Sequence, residues 1–116
     1  MTSFVHHRLD IYDVDLYLVT SKSEWKALRQ TTLPDMPKFD VDHQAACMTL
    51  ASDDDDLKMI FYFRNTDINT VAHEAYHGAG LILDHITQEY DGSSEAAAWL
   101  VGWLSEWIWS HTERAI

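Results

Sequence analysis

The sequence predicts an α+β fold with element order β-α-β-β-α-α. Three observations carry that expectation. Apolar and polar residues alternate over 11–20, and two short strand-like runs follow, "AACMTLAS" and "LKMIFYFRN". Elsewhere the apolar residues recur at helical spacing. Turn-forming clusters separate the two regimes.

Element by element, "IYDVDLYLVT" places Tyr12, Val14, Leu16 and Leu18 on one side, as in a half-buried strand. Ser21 with Glu24 three residues later forms a capping box for a helix to about Thr31. Pro34 and Pro37 mark a loop, "LPDMPKFDVDHQ". The runs at 45–52 and 57–65 form a hairpin whose tip is the solvated turn Asp53 to Asp56. Asn69 or Thr70 can cap a helix to about Tyr90, and "DGSS" breaks it. Ser93 or Ser94 then caps a last helix to about Thr112.

A chain of 116 residues, 47% of them hydrophobic, is one globular domain by length and composition. No apolar run is long enough to cross a bilayer, and "MTSFVHHRLD" lacks the regions of a signal peptide, so a soluble, cytoplasmic protein is expected. The lone Cys47 excludes an internal disulfide and a thiolate zinc cluster. Any metal must be held by histidine and carboxylate. A net charge of -11 repels phosphate backbones and argues against nucleic-acid binding. That acidity either keeps the protein soluble or engages a basic partner, in one version by mimicking nucleic acid toward a host protein.

Chemistry concentrates in "TVAHEAYHGAG" (70–80). Residues four apart on a helix differ by about 40° in direction and about 6 Å in height, so His73 and His77 can share one tetrahedral ion. Glu74 lies about 100° round from His73, suited to act as general base on a metal-bound water. Val71, Ala75, Ala79, Ile82 and Ile86 form a core stripe on roughly the opposite side. In random order, seven histidines and six glutamates give H-E-x-x-H with odds of only about 2%. The bland reading is two histidines sharing a helix face, and a third ligand decides between them. Glu95, 18 residues after His77, fits if the two helices lie antiparallel. A core stripe at Ala97, Leu100, Val101, Leu104 and Ile108 faces away from it, and Gly102 on its own face would permit close helix approach. The alternative for Glu95 is a carboxylate stabilising the helix N-terminus. Asp84, on nearly the same face as His73, could orient a ligand from behind.

His73-Glu74-x-x-His77 followed by Glu95 resembles the gluzincin branch of zinc metallopeptidases. "SSEAAAW" is similar to the third-ligand segment of thermolysin-like enzymes and of the ImmA/IrrE family, although it comes early for both. The resemblance covers about residues 70 to 110. It implies a minimal zincin-like core, a small and mostly antiparallel sheet packed on two site helices. It further implies Zn2+ on His73, His77 and Glu95, with Glu74 activating water to hydrolyse a peptide bond. In format the chain is similar to small zincin-like proteins of phage genomes.

An oxyanion donor is also needed, and Tyr90, His85 and His111 stand as alternatives, each of them otherwise structural. A substrate strand could pair with a free sheet edge, along either hairpin run. Trp99, Trp103, Trp107 and Trp109 are expected to pack in the core; otherwise they form a patch for a homodimer or partner protein. Adjacent His6 and His7 face opposite ways and are read as surface residues. His43, beside Asp40 and Asp42, is read as part of a solvated loop. Cys47 is expected to pack as a small apolar residue. Two functions follow: a zinc-dependent metalloendopeptidase acting on a specific protein or peptide substrate, or an acidic binding or inhibitor protein on a zincin scaffold with a structural or vestigial metal. A purely structural zinc site has no need of Glu74.

Overall fold

A computed structural model describes residues 4–38, 44–50, 56–64, 66–86 and 94–112. Four strands form one sheet: β1 (Val5–Leu9), β2 (Val14–Val19), β3 (Ala45–Leu50) and β4 (Leu57–Phe63). Their spatial order is β1-β2-β4-β3. β1 pairs antiparallel with β2 and β3 antiparallel with β4, while β2 and β4 run parallel. Three helices complete the fold: α1 (Lys22–Thr31), α2 (Ile68–His85) and α3 (Glu95–Thr112). The architecture is α+β, with one strand more than expected.

That extra strand changes the reading of its neighbour. β2 is buried along its whole length because the sheet flanks it on both sides and helices cover both its faces. Leu16 and Leu18 point to α2 and α3, whereas Tyr17 and Val19 point to α1. The alternation expected of a half-buried strand therefore marks two different cores. Residues 11 and 12, expected to begin this strand, belong instead to a short 3-10 turn, Asp10–Tyr12. His6 and His7 do face opposite ways; His6 is exposed, as expected, while His7 is half-buried. His6 bonds Asp15 at 2.9 Å, and His7 packs on Trp103 with ring centroids 5.2 Å apart.

Capping explains the helix starts. Ser21 accepts from Glu24 N at 3.1 Å, and the Glu24 carboxylate reaches back to Thr20 N, one residue beyond the expected box. α2 begins earlier than expected, because Asp67 accepts from Thr70 N at 2.9 Å. Its helix ends at His85 rather than Tyr90, which lies outside the described residues, as do His43 and Asp53 to Asp55. Ser94 caps α3 by accepting from Ala97 N.

α2 and α3 lie side by side on one sheet face, joined to it by the core stripes that the periodicity gave. The close approach is made at Gly78, not Gly102. A Cβ at Gly78 would fall 2.6 Å from Phe61 Cζ and 3.4 Å from Leu104 Cδ1, whereas nothing lies within 4 Å of one at Gly102. The absent side chain thus seats the histidine-bearing helix on the sheet directly after His77. The tryptophans differ in exposure. Trp107 is buried against Phe61 and His7, while Trp99 and Trp109 are exposed. Among the described residues no helix is long and apolar enough to cross a membrane.

Candidate functional site

α2 buries Val71, Ala75, Ala79 and Ile82 and turns His73 and His77 outward. Their Nε2 atoms stand 3.1 Å apart. Two nitrogens bound tetrahedrally to one zinc at ordinary lengths are separated by about 3.3 Å. The spacing of the pair is close to that of two such ligands, although one imidazole donating to the other gives the same distance.

Glu74 supplies the distinguishing observation. It is only 8% exposed, yet it makes no hydrogen bond to the described residues; its ionic neighbour is His73 Nε2 at 3.9 Å. The fold treats its other deeply buried carboxylate differently. Asp15, 7% exposed, accepts from Lys58, from Arg8 at 3.1 Å and from His6 at 2.9 Å. Burial pushes the Asp15 carboxyl up, but bonds from Lys58 and His6, with the charges of Lys58 and Arg8, hold it below the ordinary range. A structural carboxylate here acquires partners, and Glu74 has none of that kind.

Beside Glu74 and His77 opens a cleft of about 470 Å³ between α2 and the sheet, lined by Cys47, Tyr76, His77, Gly80 and Leu81. Cys47 belongs to β3, whose outer side is, among the described residues, a free edge of the sheet. β4, the other run considered for substrate pairing, is interior and cannot serve. Burial, followed by the charge of Glu74, pushes the Cys47 thiol up to about 12. It stays protonated at neutral pH, which argues against a cysteine nucleophile paired with His77. Tyr76 is half exposed at the rim, its ring 6.3 Å from that of His77. Sequence reasoning passed over Tyr76 and read Cys47 only as a small apolar residue. Tyr76 lies inside the H-E-x-x-H motif itself, so its signal was adjacency to His77; Cys47 is brought in by tertiary packing alone.

The remaining expected residues do not converge. Among the described residues, no set of three histidine, cysteine, aspartate or glutamate side chains is grouped to hold a metal. Glu95 is exposed at the first turn of α3, away from the histidine pair. Register gives the reason. Ala72 and Ser105 line a common cavity, so the antiparallel helices pass each other at about that level. From Ser105 back to Glu95 is about 15 Å along the axis, and from Ala72 on to His77 about 7.5 Å, which leaves about 7.5 Å between Glu95 and His77. Both side chains also lean toward their own helix N-termini, which in antiparallel helices means apart. Asp84 is exposed and makes no side-chain hydrogen bond to described residues. His111 Nδ1 lies 2.8 Å from the Trp107 carbonyl oxygen, an attachment within the last turns of α3 rather than at the cleft. His85 closes α2, two turns beyond His77.

No protein-family model matches this sequence, and comparison with curated proteins and with solved structures found none that matches either.

Proposed function

We propose that the chain is a zinc-dependent metalloendopeptidase acting at the cleft between α2 and β3. The observation that carries this reading is the buried Glu74, without a hydrogen bond to the described residues, beside two histidine nitrogens 3.1 Å apart. His73 and His77 would hold the metal, with Glu95 completing the set from α3. Bound zinc supplies a Lewis acid and an activated water. The chain's own residues do the rest. Glu74 takes the proton of the attacking water on its carboxylate and returns it to the departing amine nitrogen. The free edge of β3 offers backbone donors and acceptors to an extended peptide. Leu81 and Cys47 seat an apolar side chain, with Tyr76 at the rim.

A second reading draws on the missing third ligand in the observed packing. It makes the protein an acidic binding or inhibitor module on a zincin-like scaffold, with the histidine pair structural or vestigial. Metal analysis beside a peptide-cleavage screen separates the two. The peptidase reading expects about one zinc per chain, lost in His73→Ala or His77→Ala, and a Glu74→Gln variant that keeps zinc but cuts nothing. Undiminished cleavage by Glu74→Gln would overturn it, and a zinc-loaded wild type that cuts no peptide would favour the binding module.

A further inference from the structure

Tryptophans form a ladder along α3. Trp99, Trp103 and Trp107 follow one another at four-residue spacing, with ring centroids 6.4 and 6.2 Å apart and planes inclined by 23° and 11°. The inner end is anchored, since Trp107 is buried against Phe61. Toward the other end the rings emerge: Trp103 is half-buried and Trp99 is exposed. His7 of β1 packs beside Trp103 with centroids 5.2 Å apart and supports that ring from the sheet.

Next to the ladder lies a pocket of about 250 Å³ lined by Trp103, Glu106, Trp107 and Ser110. It shares no lining residue with the cleft between α2 and β3. Its chemistry is one-sided. Indole faces carry negative π density. Glu106 is an exposed carboxylate that forms no hydrogen bond or ion pair with the described residues. The Ser110 hydroxyl donates to the Trp107 carbonyl oxygen at 3.0 Å, which leaves it only acceptor capacity. Apart from the indole N–H groups, the lining therefore offers π faces and acceptors. No lysine or arginine occurs in α2 or α3, so neither helix supplies a cation to it.

A surface glutamate or a surface tryptophan on its own calls for no ligand. Set in one pocket, the two complement a flat, weakly hydrated cation with several N–H donors. A guanidinium has those properties: it stacks on aromatic faces, meets a carboxylate with two N–H groups at once and loses its hydration more readily than an ammonium. We propose that this pocket receives an arginine side chain of a basic partner polypeptide, its guanidinium against the Trp103 ring and its N–H groups on Glu106. The site requires no metal and is independent of the peptidase reading.

The probes are short glycine peptides with blocked termini and one central arginine, lysine or citrulline; citrulline has the shape of arginine without its charge. Binding is followed by NMR on the full-length, 15N-labelled protein in chelator and low salt, through the indole N–H resonances, with Trp103→Phe assigning the signal of interest. At an exposed site a cation–π contact and an ion pair are each worth about 2- to 5-fold in affinity. The arginine peptide should therefore bind about 10-fold more tightly than the citrulline peptide and shift the Trp103 signal saturably. The lysine peptide should fall about 2- to 3-fold behind it. Glu106→Gln, at an exposed position, should weaken arginine-peptide binding about 3- to 5-fold. Asp35→Asn, in the exposed loop after α1, should leave it unchanged. Equal binding of the arginine and citrulline peptides overturns the proposal, as does an equal loss in Asp35→Asn, which would make net charge responsible. A Trp103 signal that stays still while other indoles move overturns the location, and lysine matching arginine overturns the choice of guanidinium.

Discussion

Replacing Glu74 should make the protein more stable while it abolishes function. The carboxylate is 8% exposed and forms no hydrogen bond to the described residues, so folding removes it from water with little in return. A buried polar group left unsatisfied costs about 1–3 kcal/mol. With 11% of the side chain still reaching solvent, the lower end applies, about 1 kcal/mol. Glu74→Met removes the polar group at similar volume and should raise the melting temperature by about 4 °C in a chain of this size. Asp15→Asn is the internal control. It weakens a carboxylate held by Lys58, Arg8 and His6, and because Lys58 and Arg8 keep some exposure the loss should be about 2–3 kcal/mol. Thermal unfolding of both variants, in chelator so that metal linkage drops out, gives the comparison. If Glu74→Met melts lower by as much as Asp15→Asn does, Glu74 is a structural residue and the argument for a site fails.

Three further outcomes follow from the same geometry. Gly78→Ala should destabilise by about 1–2 kcal/mol, since overpacking against the fully buried Phe61 exceeds the helix-propensity gain. Gly102→Ala, pointing into open space, should stabilise by about 0.5–1 kcal/mol; urea unfolding in which both variants gain stability would remove Gly78 as the helix seat. The Cys47 thiol, raised from an ordinary 9.0 to about 12, has a thiolate fraction lower by about a thousandfold, so iodoacetamide at pH 8 should alkylate native protein about 10³ times more slowly than unfolded chain. Asp15 sets an acid dependence. Its folded carboxyl is held below the unfolded value, so its contribution is present above about pH 4 and is lost as pH falls through the folded value. Denaturation curves from pH 7 to 3 should show that loss in wild type and much less of it in Asp15→Asn.

The helices were legible because their signals are local. Ser21 and Ser94 cap as side-chain chemistry requires, and the stripes through Val71 and Leu100 face the core. β1 was missed because "VHHRL" presents two histidines and an arginine where an edge strand usually shows alternation. Their contacts are with Asp15 and Trp103, which are 9 and 96 residues distant from His6 and His7 respectively. Which glycine is tight was illegible for the same reason. Gly78 and Gly102 each lie in a helix, and only the packing of Phe61 beneath one of them tells them apart. Helix period likewise gives the direction of a side chain but not the level at which two helices meet, and level is what places Glu95.

That level can be tested directly. Ligation by Glu95 requires closing an axial gap of about 7.5 Å against side chains that lean apart, so the first turn of α3 would have to shift toward His77 when metal binds. If it does, Glu95 is a direct ligand and Glu95→Ala should weaken zinc binding by at least about 100-fold, since even groups one bond removed from a metal are worth 10- to 100-fold. Competition with a chromophoric chelator gives the constant, and His77→Ala run alongside calibrates the loss of a known first contact. Without that shift, Glu95→Ala binds as wild type does and the histidine pair alone defines the site. Two nitrogens would then leave the ion with two open positions and little grip, a poor foundation for hydrolysis but adequate for a scaffold that recognises a basic partner. A single zinc titration on Glu95→Ala therefore bears on the enzyme reading as heavily as any assay of cleavage.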